Sequence, residues 1–236
     1  ALNGIHRLVG WLVSSNSTLS GELAIQPGAI LSFTGTTANT LQQLQLLNEG
    51  TVRWQEGRLT FRSGTHGTVV TNRGLWRIET DNAAGIDGGS SNVTFINEGI
   101  LRKTAGPGPA SIMGLTLING GRVEVERGRL QLAGLQGELT GDWAAAEGAS
   151  LSFDACALTN AFPATFTGSS VVQGGEFWLG GAAPPSGLKI GRTTLHLLPT
   201  FQGGSITNLM LDGPTLVGTN RVTGRLTLGT STLTGG

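Results

Sequence analysis

The sequence predicts an all-β chain wound as a β-solenoid, with coils about 20–25 residues long. Three observations predict it. The triplet Asn-x-Gly returns four times, as Asn48-Glu49-Gly50, Asn72-Arg73-Gly74, Asn97-Glu98-Gly99 and Asn119-Gly120-Gly121, at spacings of 24, 25 and 22 residues. The flanks line up with the triplets: Leu46-Leu47, Val70-Thr71, Phe95-Ile96 and Leu117-Ile118 precede them, and Val52, Trp76, Leu101 and Val123 stand four residues after each Asn. Finally, Gly is 39 of 236 residues with no Gly-X-Y period, and it punctuates short runs of Val, Ile, Leu, Phe and Thr. That composition marks many short strands closed by turns rather than collagen or helices.

The first 35 residues read as four short strands: Leu8-Val9, Trp11–Val13, Leu23–Ile25 and Ile30–Phe33, separated by glycines too close together for helices. Thr37–Leu47 has a passable helical spacing in Leu41, Leu44 and Leu47, but no helix stop, and at least its second half fits the strand register of the later coils. In the four Asn-x-Gly coils the residue four places after Asn is apolar, the one at six is Trp54, Ile78, Lys103 or Val125, and those at five and seven are polar, which is period-two alternation with the fourth place facing inward. The glycine two places after Asn is expected to supply a turn conformation that a β-carbon would penalise. Asp81–Ser91 and Thr104–Pro109 break the pattern and read as loops leaving the solenoid. Strands continue near Leu151–Phe153, Val171–Val172 and Glu176–Leu179. After the break Ala182-Ala183-Pro184-Pro185 they resume at Leu188–Ile190 and run to Leu226–Leu228.

Two duplications lie within the chain. Residues 139–155 match 19–35 at eight of seventeen positions, and residues 216–236 match 2–22 at nine of twenty-one, an offset of 214. The expected organisation is one continuous β-solenoid over residues 1–236, divisible into a unit at 1–214 and the start of the next at 215–236. An end that repeats the beginning in register offers the surface that the beginning was built to meet, so head-to-tail or tandem continuation is expected.

Composition removes several functional classes. At 38% hydrophobic and 13% charged residues the chain can bury a core. Fifteen basic and fifteen acidic residues cancel, so no global field draws it to nucleic acid. No apolar run approaches the ~18 residues of a membrane span, so no membrane insertion is expected. Cys156 is the lone cysteine, which forbids an internal disulfide, and no Cys/His spacing suggests a zinc site. The chain opens at Ala1 with no signal-peptide pattern, which fits a mature or excised piece.

The phrases Asn48-Glu-Gly-Thr-Val-Arg-Trp, Asn97-Glu-Gly-Ile-Leu-Arg-Lys and Gly120-Gly-Arg-Val-Glu-Val-Glu-Arg-Gly-Arg-Leu-Gln-Leu are familiar. They resemble the repeats of large bacterial surface and secreted β-solenoids of the filamentous-haemagglutinin and autotransporter-passenger kind, over most of the chain. The resemblance implies a single-stranded right-handed parallel β-helix, exported to the cell surface or extracellular space. It implies an adhesin, a structural module or part of a filament, in contact with other copies or with surface polysaccharide. It carries no fixed catalytic residues and no cofactor.

Three groups of residues are candidates for chemistry. Asn48, Asn72, Asn97 and Asn119 form either a binding row or, the preferred reading, an internal ladder of amides. Arg53, Arg77 and Arg102 should stack on one outer face about 4.8 Å apart. That row is either a groove for carboxylates and sulfates of acidic glycans or a face balanced by Glu49, Glu79, Glu98 and Glu124. The loop from Thr80 to Thr94 resembles part of the Asn-Thr-Asp-Gly-Ile-Asp phrase of polygalacturonases, which share the parallel β-helix. That resemblance implies a glycoside hydrolase with Asp81 and Asp87 as acid/base residues. Two departures count against it: Ala83-Ala84 splits the phrase, and the chain's five Asp (81, 87, 142, 154 and 212) include no adjacent pair. The same two carboxylates are the ones a calcium ion would need. His6, His66 and His196 are scattered, and the five Trp read as core rather than as a sugar platform.

Overall fold

The computed structural model describes residues 1–83, 85–89, 92–160 and 164–235. It is a parallel β-solenoid of about 11 turns, 62% strand. Among the described residues there is no α-helix, only a 3-10 turn at Phe201–Gly203.

Each coil has three faces, visited in the order 1, 2, 3. Face 1 is one sheet of eight strands: β2 (Trp11–Ser15), β4 (Ile30–Thr34), β6 (Thr51–Trp54), β9 (Leu75–Ile78), β12 (Ile100–Lys103), β15 (Arg122–Val125), β18 (Gly141–Ala145) and β20 (Ala164–Thr167). Face 2 holds the first halves of β3 (Thr18–Ile25), β5 (Ala38–Asn48), β19 (Ser150–Asn160) and β21 (Ser169–Leu179). Between and beyond these lie β7 (Arg58–Arg62), β10 (Ile86–Asp87), β13 (Pro109–Met113), β16 (Arg129–Ala133) and β22 (Leu188–Ile190). The second halves of the four long strands turn the corner onto face 3. They are joined there by β1 (Ile5–Leu8), β8 (Thr68–Asn72), β11 (Val93–Asn97), β14 (Thr116–Asn119), β17 (Gln136–Glu138), β23 (Thr194–Leu197), β25 (Thr215–Val217) and β27 (Thr232–Thr234). Face 1 stops at β20. Beyond it, among the described residues, β24 (Ile206–Leu211) and β26 (Val222–Leu228) lie outside the two large sheets and form a separate pair.

At the corner between faces 2 and 3 several coils place a left-handed residue, which lets the strand fold back without losing its neighbour. Gly114, Gly134 and Gly174 fill it at φ of 65°, 59° and 67°, whereas Gln43 and Ala155 accept the same conformation with a side chain.

Val52, Trp76, Leu101 and Val123 lie in one column, paired rung to rung and fully buried. The column extends back to Leu31 and forward to Trp143 and Phe166. Trp76 packs edge-on against Phe95 of face 3 at 5.1 Å, and Trp143 stacks on Phe166 at 6.0 Å, so aromatic rings bridge the faces as well as the coils. The second inward column of face 1 runs Phe33, Trp54, Ile78, Lys103, Val125 and Ala145.

Four sequence expectations need correction. Some coils are shorter than the expected 20–25 residues: Gln45 pairs with Val69 and Val69 with Thr94, steps of 24 and 25, but Ile5 pairs with Glu22 and Thr215 with Thr232, steps of only 17. The segments read as loops leaving the solenoid stay on it. Ile86 is a rung between Leu59 and Ile112, Pro109 begins a strand, and a part of that expectation, at Ala84, Ser90 and Ser91, lies outside the described residues. The glycines of Asn-x-Gly are not in the left-handed region; the bend requires them for a different reason, given below.

Fourth, the two ends are not in register. Leu2 bridges Leu19 on face 2, but their repeats Leu216 and Leu233 pair on face 3. The internal duplication does the same. Leu23–Ile25 of face 3 and Ile30–Phe33 of face 1 become Trp143–Ala145 of face 1 and Ser150–Phe153 of face 2. Both copies keep the same turn between them, with Ala29 N–H donating to Gln26 O and Ala149 N–H to Ala146 O. A corner is thus a transferable piece, and the chain has reused it one face further on.

Candidate functional site

The structure gathers the candidate residues into three arrangements. At the corner from face 3 to face 1 the four asparagines are fully buried and directly stacked. Asn48 Nδ2 donates to Asn72 Oδ1 at 2.6 Å, Asn72 to Asn97 at 2.7 Å, and Asn97 to Asn119 at 2.7 Å. The second hydrogen of each of the first three amides goes to a backbone carbonyl of the next coil, at Leu75, Ile100 and Arg122. Asn119 ends the series on Thr140 O at 2.9 Å, and Asn48 Oδ1 accepts Gly50 N–H at 3.2 Å at the other end.

The backbone of the same residues closes the bend. Asn48 O accepts both Arg73 and Gly74 N–H, Asn72 O accepts Glu98 and Gly99, and Asn97 O accepts Gly120 and Gly121. This packing brings the glycines onto one another. A β-carbon on Gly74 would lie 2.2 Å from Gly50 O, one on Gly99 2.3 Å from Gly74 O, and one on Gly121 2.2 Å from Gly99 O. The beat in the sequence therefore records a contact between coils.

Removing one amide leaves buried donors and acceptors on both sides without partners, a cost of about 1–3 kcal/mol. Asn72→Ala is expected to lower the unfolding free energy by that amount. A substitution at the half-exposed Arg73–Glu98 pair beside it is expected to stay within about 0.5 kcal/mol. Chemical denaturation of the two variants checks this, and equal losses would show that the amides carry no special share.

On the outside of face 1, Arg53, Arg77 and Arg102 are stacked in register with Glu124. Glu79 accepts Arg53 Nε and Nη2 at 3.1 and 2.8 Å and Arg77 Nε at 3.1 Å. Glu124 lies 2.5 Å from Arg102 Nε and 2.8 Å from Arg122 Nε. Glu98 pairs with Arg73 at 2.8 Å, outside this row. Each guanidinium of the row thus already faces a carboxylate.

Asp81 and Asp87 are held apart by separate cations. Asp87 pairs with Arg58 and accepts Gly89 N–H at 3.0 Å. Asp81 accepts Lys103 Nζ at 2.8 Å and Gly108 N–H at 3.0 Å. Burial pushes the Asp81 carboxyl up, but the hydrogen bonds from Lys103 and Gly108 and the lysine charge outweigh it and hold its pKa below the ordinary value. A general acid needs the opposite shift. Among the described residues no three His, Cys, Asp or Glu side chains converge as metal ligands would. Burial pushes the Cys156 thiol up to about 11, so at neutral pH it is not a thiolate.

Sequence reading missed the buried Lys103, whose side chain is 0% exposed in a column of apolar residues. Its period-two position facing inward was the available signal. Asn39 was missed as well: fully buried at the corner from face 1 to face 2, it accepts Ser14 Oγ at 2.9 Å and Ser17 N–H at 3.2 Å. Of the tryptophans, Trp54, Trp76 and Trp143 are core, whereas Trp11 is 68% exposed and Trp178 stacks on His196 on the outside of face 3.

Comparison with protein-family models, with characterised proteins and with solved structures returns no match at the level of family, sequence or fold.

Proposed function

We propose that the chain is a non-enzymatic structural or adhesive module, one length of an extracellular β-solenoid that continues in tandem or head to tail. The observation that supports this is where its polar chemistry goes. The asparagine amides bond to one another. Asp81 and Asp87 are tied to Lys103 and Arg58, and the arginine row to Glu79 and Glu124. Apart from Arg77, whose partner Glu79 is in its own coil, these contacts join one coil to another, so the residues that chemistry would use are largely the ones that hold a rod together. The resemblance of the repeats to filamentous-haemagglutinin and autotransporter-passenger proteins points the same way and suggests a surface or secreted location.

The partners in this reading are other copies and, along the outer faces, surface polysaccharide. Electron microscopy of native material tests it. Rods longer than one chain, with an axial repeat of about 50 Å from ten coils at about 4.8 Å each, are the expected result. Particles no longer than a single chain, in native material and in the concentrated purified protein alike, would end the proposal.

A further inference from the structure

Both duplications in the chain advance by one face in the direction of winding. In the shorter one, face 3 becomes face 1 and face 1 becomes face 2. In the longer one, the face 2 bridge Leu2–Leu19 becomes the face 3 pair Leu216–Leu233. From Leu2 the chain passes one face to His6. It then climbs ten rungs of face 3, through Leu23, Leu46, Val70, Phe95, Leu117, Gly137, Leu158, Phe177 and Leu195, to Leu216. The 214-residue period is therefore ten coils and one face, not a whole number of coils.

What repeats is the framework. Leu2, Leu12 and Leu19 return as Leu216, Leu226 and Leu233 (the last 53% exposed), while the exposed Ile5, Val9, Trp11 and Val13 give way to Thr219, Thr223, Arg225 and Thr227. Inward residues and turns decide how one coil seats on the last, so the rotation is built into the part that is kept. The same strand–turn–strand piece serves the corner from face 3 to face 1 at residues 23–33 and the corner from face 1 to face 2 at residues 143–153, so the fold tolerates a one-face shift.

We propose that successive units at this period are turned by one third of a revolution, so that a tandem array is a three-fold screw. It would advance about 50 Å per unit and return the same outer surface to the same side only every about 150 Å. This rests on the reading that the solenoid continues from unit to unit. It has a consequence for contact: a ligand-bearing outer feature would be displayed on three sides of the rod in turn instead of along one edge.

The test is a single chain in which residues 1–214 are followed by the complete 1–236 sequence, its structure determined by crystallography or cryo-electron microscopy. The expected result is one unbroken stack with the second Trp11 one third of a turn from the first and about 50 Å along the axis. The second Trp11 directly above the first would overturn the rotation and leave the continuous-solenoid reading intact. Two copies that fold but tumble independently would overturn that reading, and the rotation with it. A fused chain that fails to fold while the single copy folds would show that 214 residues is not a structural period, which also overturns the rotation.

Discussion

Asp81→Ala is expected to lower the stability of the solenoid by about 3 kcal/mol, because it strands a buried ammonium. Lys103 is 0% exposed and stands between Ile78 and Val125 in the inward column of face 1. Apart from Asp81, the partner its charge finds is Ala105 O at 2.5 Å. Asp81 is 32% exposed, so water entering after its removal keeps the loss near the lower end of the range for broken buried pairs. The reverse change should be mild. Lys103→Met fills an apolar column with an apolar chain and leaves Asp81 at the surface with its Gly108 N–H bond, a change within about 1 kcal/mol. Urea unfolding of the two variants separates these outcomes; equal losses would mean the ion pair itself, not the orphaned lysine, sets the energy. The pH dependence has a definite sign. The Asp81 pKa in the folded chain lies below its unfolded value of about 3.9, so its contribution is complete above that pH and is lost as pH falls through the folded value. Asp81→Ala should remove this part of the acid sensitivity.

Gly121→Ala is expected to cost about 3 kcal/mol, and Gly120→Ala, one residue away, to cost nothing or to stabilise by about 0.5 kcal/mol. A β-carbon at Gly121 would sit 2.2 Å from Gly99 O and 2.7 Å from Glu98 C, both backbone atoms of a neighbouring coil that cannot rotate aside. At Gly120 a β-carbon meets nothing within 4 Å, and the backbone is not in the left-handed region. Replacing that glycine only reduces the freedom of the unfolded chain. Gly74→Ala and Gly99→Ala should behave like Gly121→Ala, since each would place a methyl 2.2–2.3 Å from the glycine carbonyl below. Melting temperatures of the four variants check the pattern. A loss at Gly120 equal to that at Gly121 would show that chain flexibility, not the approach of the coils, is what the glycines provide.

The middle of the chain was legible because one corner repeats with the same residue types. An amide, an open position and a glycine recur wherever a coil must bend and stack at once, so the period could be read from Asn48 to Asn119. The reason for the glycine could not be read. A left-handed turn and a close approach both select glycine, and only the distance between coils tells them apart. Lys103 was hidden because a charged residue at an inward position looks like a break in alternation until its partner is found 22 residues earlier. The arginine row was legible as a row, but which glutamates meet it depends on side-chain reach across two coils, as with Glu79 between Arg53 and Arg77. The face shift was invisible because a strand and its turn look alike at every corner; which face they lie on depends on the summed lengths of all preceding coils.

The end of face 1 at Ala164–Thr167 has a mechanical consequence. Up to that point each coil is laced to the next along three faces, but from Gly168 onward face 1 contributes no further rung. A load that peels coils away from the side of Leu233 therefore meets fewer backbone bonds per coil until it reaches Phe166. There it must also separate a ring stacked on Trp143. Pulled from that side, the rod should yield first in a compliant stretch and then resist sharply, a fuse ahead of a stiff shaft. In a filament under tension, such a stretch would extend first, while the coils of the Asn ladder carried the same load with little extension.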